Sequence, residues 1–217
     1  MDNKILIEQS QHWEKSFSSK PEMFGSEPSY SAKIALENFK KNNVKHIIEL
    51  GAGLGRDTIF FAKNSIKVTA LDFSPTAVEI IKNKSNSLGL SNLIEVQIHD
   101  LRQKLNFKDN NFEGCYSHML YCMAFTYSEL ENLNNEVCRV LNKGSLNIYT
   151  VRNHSDADYK KGTHRGEDLY EMNEYIVHYF SNEKIKKLVK GFKNLSIDYF
   201  DEGSFPRKLS IAINQKI

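Results

Sequence analysis

Apolar residues along this chain fall into two kinds of pattern. Compact apolar runs over residues 44–50, 67–72, 93–99, 112–120 and 145–151 read as strands. Between them, apolar residues recur at the spacing of one helix face. Ile34, Ala35, Leu36 and Phe39 mark a helix over residues 31–42, and Ile59, Phe60, Phe61 and Ala62 mark one that starts at Gly55-Arg56. Ala77, Val78, Ile80, Ile81 and Leu88 supply the buried side of a third, and Leu133, Val137, Val140 and Leu141 that of a fourth. Strands alternating with amphipathic helices predict a mostly parallel sheet with helices on its faces.

The punctuation agrees. Ser74 is placed to cap a helix whose first residue is Pro75, and Gly89 ends it. Ser128 and Glu131 have the spacing of a capping box, and Lys143-Gly144 would stop the helix that follows. Residues 195–200 and 208–213 read as two more strands, joined by a connection too short for a crossover helix, so they should pair antiparallel.

Two segments stand outside this alternation. Residues 1–29 form an N-terminal arm with a short helix over residues 5–16 and a loop through residues 20–25. With Trp13, Phe17, Met23 and Phe24, and Tyr30 just beyond, it is too aromatic for a disordered tail. Its aromatics either dock on the core or cover a ligand. Residues 152–180 read as a long loop carrying Arg152, His154, Asp156, Asp158, Tyr159, His164, Arg165 and His178. A loop of that length is a candidate substrate-facing flap. Its histidines match no metal-ligand spacing, and no metal is expected.

Composition narrows the class. The 217 residues suit one domain, residues 1–217, with the arm and the 152–180 segment as additions. A formal charge of +2 implies no nucleic-acid-binding face. No basic-then-apolar leader and no span of about 18 apolar residues is visible, so neither a signal peptide nor a membrane segment is expected. Cys115, Cys122 and Cys138 form no C-x-x-C pair, which points to small apolar packing in a reducing cytoplasm. The expected assembly is a monomer or a homodimer.

The run from Glu49 to Asp57, with Gly51, Gly53 and Gly55 between a strand and a helix, carries the chemistry. Glycines there let a ligand approach the backbone, and the helix start points free N–H groups into the turn. A dinucleotide loop would place its third glycine at position 56, which is Arg56. G-x-G-x-G after an acidic residue resembles motif I of the class I S-adenosylmethionine-dependent methyltransferases. Asp72, ending the next strand, and Asp100-Leu101, after the third, stand where that family holds the ribose and the adenine. The resemblance implies a Rossmann-like, doubly wound, mostly parallel seven-stranded sheet with an antiparallel C-terminal hairpin strand. It implies S-adenosyl-L-methionine as cofactor and S-adenosyl-L-homocysteine as product. The residues it points to for binding are Glu49, Gly51, Ala52, Gly53, Gly55, Asp72, Phe73, Asp100, Leu101 and Ser117. Gly55-Arg56-Asp57 with an aromatic arm looks like the tellurite-resistance and thiopurine methyltransferase-like group.

The acceptor side is less defined. Amino-modifying relatives often carry an Asn-Pro-Pro-Tyr-like motif after the fourth strand, where this chain has Ser117-His118-Met119-Leu120. That departure argues against adenine N6 or glutamine methylation. Candidate general bases are His118, Tyr121, His154 and His178, with a buried structural histidine the competing reading for His118. Trp13, Tyr30, Tyr121 and Arg152 are the candidate acceptor contacts. The leading expectation is a small-molecule methyltransferase. The alternatives are a protein or RNA methyltransferase and a non-catalytic S-adenosylmethionine-binding module.

Overall fold

The computed structural model describes residues 2–203 and 207–217. A seven-stranded sheet takes the order β3-β2-β1-β4-β5-β10-β9. Its strands are β1 (His46–Leu50), β2 (Lys67–Asp72), β3 (Ile94–Ile98), β4 (Phe112–Ser117), β5 (Leu141–Arg152), β9 (Phe192–Glu202) and β10 (Arg207–Lys216). β1 to β5 pair parallel, whereas β10 runs antiparallel to both β5 and β9. This is the expected hairpin; residues 204–206 of its connection lie outside the described residues.

Side-chain alternation feeds two cores. Ile47, Tyr116 and Ile148 face one side with α2 (Tyr30–Lys41), α3 (Arg56–Lys63) and α4 (Pro75–Ser87). Their neighbours Ile48, Cys115 and Tyr149 face the other, with α5 (Tyr127–Val140) and α6 (Asn182–Lys187). Each fully buried large apolar side chain here contributes about 1.5–3 kcal/mol, and the exposed arm and cap rest on smaller satellite clusters.

Several expectations need correction. The capping box of α5 is formed by Thr126 and Glu129, not by Ser128 and Glu131. Both pairs fit the pattern, but the earlier one encloses the true helix start. Lys143-Gly144 does not stop α5, because Leu141 already belongs to β5. β4 ends at Ser117, three residues early, and Met119 takes a left-handed φ of 61° that turns the chain. Residues 152–180 are not an irregular loop. They form a small antiparallel sheet of β6 (Thr163–His164), β7 (Leu169–Met172) and β8 (Tyr175–His178).

The arm is mostly α1 (Asn3–Ser19), longer than expected, and it packs on that small sheet. Gln9 donates to the Glu174 carbonyl (2.7 Å) and accepts from the Ile176 N–H (3.0 Å), while Trp13 lies edge-on to Tyr175. On its other side α1 reaches α4, where Glu14 accepts from the hydroxyls of Ser74 and Thr76.

Candidate active site

The strand order reverses between β1 and β4, because β2 and β3 lie to one side of β1 and β4 and β5 to the other. Ligands of open α/β sheets bind beyond the carboxyl ends of the strands at that switch point. The turn after β1 is there. Gly51, Gly53 and Gly55 have φ of 69°, 53° and 79°. Gly51 and Ala52 donate to the Leu71 carbonyl at 2.8 and 3.1 Å, which pins the turn to β2.

The acids at the strand ends serve different purposes. Asp72 is 4% exposed. One of its oxygens accepts from the Gly53 N–H (2.8 Å) and the other from the Ser74 N–H (3.0 Å). Burial, only partly offset by these bonds, raises its carboxyl to about 6. Asp100 is half exposed and accepts from the Arg102 N–H at 3.0 Å. Leu101 is buried in the main core. Ser117 donates to the Leu50 carbonyl (3.0 Å) and so ties β4 to the turn. Phe73 and Pro75 line a cleft of about 470 Å³ beneath Ser10, Glu14, Lys15 and Ser18 of α1.

Glu49 sits under the turn, where it accepts from the Thr58 hydroxyl at 2.6 Å. Burial, and then the nearby Asp57 charge, push its carboxyl from 4.5 up to about 8. The folded protein therefore holds a proton that the unfolded chain releases. This group favours the fold most below 4.5, and that contribution is lost as pH rises through about 8. Glu49→Gln, neutral at every pH, is expected to melt above wild type at about pH 9 and level with it at about pH 4. Melting curves at both values check this; a variant no more stable than wild type at the higher pH refutes it.

His118 lies one residue past β4, at the switch point. Its Nδ1 is 3.0 Å from the hydroxyls of Ser31 and Thr150, and its Nε2 is 3.1 Å from Glu202. Arg56 holds the other Glu202 oxygen at 3.3 Å and also donates to the Phe24 carbonyl. Burial opposes the Glu202 charge, but His118 and Arg56 more than offset it and keep the carboxyl below its ordinary range. Behind them the buried Asp57 accepts from the Ser29 N–H, the Ser29 hydroxyl and the Tyr116 hydroxyl. Sequence reading missed Glu202, Ser29 and Ser31. Glu202 lies 84 residues from His118, so no local pattern joins them.

The other acceptor candidates are committed elsewhere. Tyr121 is fully buried and stacked on Tyr149 at 4.3 Å. Arg152 is clamped by Asp156 and Asp158 and lies over the Tyr179 ring. His178 is fully buried between the Phe125 carbonyl (2.7 Å) and Lys184 (2.9 Å). Burial and the Lys184 charge lower its imidazole to about 4. His154 stacks on Tyr159 and faces Asp168 at 3.7 Å. Trp13 packs with Phe17 in the satellite cluster under α1, and Tyr30 is an exposed ring against Phe200. All six make packing or polar contacts within the fold, although the Tyr121 hydroxyl and His154 Nε2 have no well-directed hydrogen-bond partner among the described residues.

Two observations show that these residues fit S-adenosylmethionine. The turn has the left-handed glycines and strand-end position such a ligand needs, and apolar side chains close on it: a Cβ on Gly51 would meet Leu120 at 2.9 Å, and one on Gly53 would lie 3.5 Å from Phe24. Acidic side chains also stand at or beside the ends of β1, β2 and β3, Glu49 turned under the loop onto Thr58, and Asp72 and Asp100 at the two strand ends where the family resemblance expects ribose and adenine. Strand order, turn and acids together are those of a class I S-adenosylmethionine-dependent methyltransferase.

Comparison with known proteins agrees: residues 47–144 match the methyltransferase-domain family. A sterol 4-C-methyltransferase of Caenorhabditis elegans is 26% identical over 120 residues, 55% of this chain. The chain spans only about a third of that relative's length, with 35% of it covered. Among solved structures, a 1,6-didemethyltoxoflavin-N1-methyltransferase from Burkholderia thailandensis, with S-adenosylhomocysteine bound, superposes with a TM-score of 0.77. It covers 100% of this chain and 90% of its own at 12% identity. A methyltransferase from Methanosarcina mazei gives 0.66 at 20% identity, covering 80% and 93%. At these identities the structures share the fold.

Proposed function

We propose that this chain transfers the methyl group of S-adenosylmethionine to a small-molecule acceptor. The observation that carries this reading is the cap: α1 and the β6–β8 sheet are tied together by Gln9, Ser16 and Tyr175. α1 also rests on α4 beside the cofactor turn. A cap of this kind suits an acceptor small enough to be enclosed, and a formal charge of +2 offers little to a polyanion. The sterol and toxoflavin methyltransferases, both acting on small molecules by name, support the same class. The Gly55-Arg56-Asp57 helix start keeps the tellurite-resistance and thiopurine-like grouping as the finer part of this proposal.

The cofactor supplies an electrophilic methyl on a sulfonium. The chain's own residues hold the reactants in line and keep water out. Asp72 and the turn fix the donor end, Asp100 keeps an exposed carboxylate for the adenine amine, and Leu120 and Phe24 supply apolar cover. Calorimetry tests the first half: S-adenosylhomocysteine is expected to bind and NAD is not. Release of S-adenosylhomocysteine from a panel of small acceptors tests the second. NAD binding without S-adenosylhomocysteine binding overturns the assignment, and cofactor binding without release from any acceptor leaves a binding module.

A further inference from the structure

The cluster at the end of β4 contains more polar chemistry than cofactor binding requires. Building on the methyl-transfer reading, we infer that Glu202 and His118 form a paired proton acceptor, and that the acceptor is a compound that loses a proton when methylated: a hydroxyl, an ammonium or an activated C–H.

The hydrogen-bond pattern assigns the protons. The Thr150 hydroxyl oxygen accepts from the Met119 N–H at 2.8 Å, so its own proton is free to point at His118 Nδ1, 3.0 Å away. The Ser29 and Tyr116 hydroxyls both spend their protons on Asp57. Ser31, 2.8 Å from the Tyr116 hydroxyl and 3.0 Å from Nδ1, adds a second hydroxyl on the same side. Nδ1 is thus the acceptor nitrogen, and the ring proton sits on Nε2, facing Glu202. Glu202 Oε2 is buried and only 3.1 Å from that nitrogen, yet it has no well-directed hydrogen-bond partner among the described residues. A buried carboxylate oxygen without an aligned donor is costly unless something else bonds to it.

The placement suits a base. β4 ends at the switch point, and Leu120, two residues past His118, covers Gly51 of the cofactor turn. The groups that set the pair's charge are Glu202 from β9, Arg56 and Asp57 from α3, and Tyr116 from β4, with Ser31 of α2 and Thr150 of β5 as neutral partners. In the transfer, the acceptor's X–H electrons become the pair that attacks the methyl carbon. The carbon–sulfur bond breaks with its electrons left on sulfur, and the acceptor's proton passes to Glu202 Oε2, since Nε2 already carries a proton and Nδ1 is taken by Thr150, and from there to water. A thioether acceptor has no proton to give and leaves the pair idle. Glu202 then acts as a positioning residue for His118 as well as the oxygen nearest the incoming proton.

Two measurements test this on the full chain. Ring-nitrogen NMR of histidine-labelled protein, which needs no ligand, is expected to show the Nε2–H form for His118, with its proton signal moving upfield in Glu202→Gln. S-adenosylhomocysteine release is then followed with matched phenol, amine and thioether acceptors. Release with the phenol or amine is expected, falling by at least about a hundredfold in His118→Gln and Glu202→Gln, while calorimetry shows S-adenosylhomocysteine still bound. An Nδ1–H form, or a proton signal unmoved by Glu202→Gln, overturns the pairing. Release confined to the thioether, or unchanged in both variants, overturns the base role. If no acceptor in the panel reacts, the NMR result alone decides. Loss of S-adenosylhomocysteine binding in the wild type instead removes the underlying reading, and is told apart because the NMR result stands without ligand.

Discussion

Gly55→Ala is expected to lower stability by about 2–5 kcal/mol, the sum of left-handed strain and overpacking. Gly55 has a φ of 79°, which an L side chain rarely adopts. A Cβ there would meet Ile81 Cγ1 at 2.6 Å. Ile81 is fully buried on the inner face of α4, and that atom is near the root of its side chain, so it has nowhere to swing. The turn or α4 must shift, and the shift falls on the cofactor loop. For a chain of this size the melting temperature should drop by about 5–15 °C, with S-adenosylhomocysteine binding strongly weakened. Gly89→Ala is the control. Gly89 also has a positive φ, 67°, but nothing lies within 4 Å of its added Cβ, so only the strain term remains. If the two variants melt together, the packing argument for Gly55 fails.

Asp72→Ala should weaken S-adenosylhomocysteine binding by about 1.5–3 kcal/mol, roughly ten- to 150-fold, the worth of hydrogen bonds to a charged group. From sequence, this residue reads as ligand-facing and indifferent to folding. Its burial and its two bonds to the Gly53 and Ser74 N–H groups change that picture. Alanine leaves both N–H groups without their acceptor, so the variant should also melt lower than wild type. Asp72→Asn keeps one carbonyl acceptor and the side chain's shape, and should lie between the two. Calorimetry and melting on the three proteins check this. Wild-type affinity in Asp72→Ala would make the residue a loop brace and nothing more.

The parts of the fold that were legible have short-range causes. β2 begins and ends at the residues its apolar run marks, and Ser74 caps α4 by accepting from the Ala77 N–H, with Pro75 at the first helical position. The hairpin strands were legible because their connection is too short for any other pairing. The β6–β8 sheet was not. Its strands are two to four residues long, and β7 and β8 carry charges and apolar residues without clean alternation. What orders it is α1 and the main sheet, not its own pattern. The G-x-G-x-G turn and the strand-end acids could be found because each is local to one strand end. The His118 cluster could not, since it draws on α2, α3, β4, β5 and β9 at once. Arg152 lies between: its partners Asp156 and Asp158 are four and six positions away, close enough for an ion pair to be read instead of a substrate contact.

The bonds from Gln9 to Glu174, just before β8, and to Ile176 within it reach across 165 and 167 residues. During synthesis, α1 leaves the ribosome long before the strand that will hold it. At about 5–20 residues per second, β8 follows roughly 8–30 s later. Over that interval Trp13 and Phe17 have only the early partners, Leu54 and Ala77 of the cofactor half, on which to settle. The nascent chain can therefore complete β1 to β5, with α1 resting beside the turn after β1, before β8 is made. The contact of α1 with β8 joins the two ends of the chain's synthesis, with only α6 and the β9–β10 hairpin still to follow, the hairpin completing the main sheet.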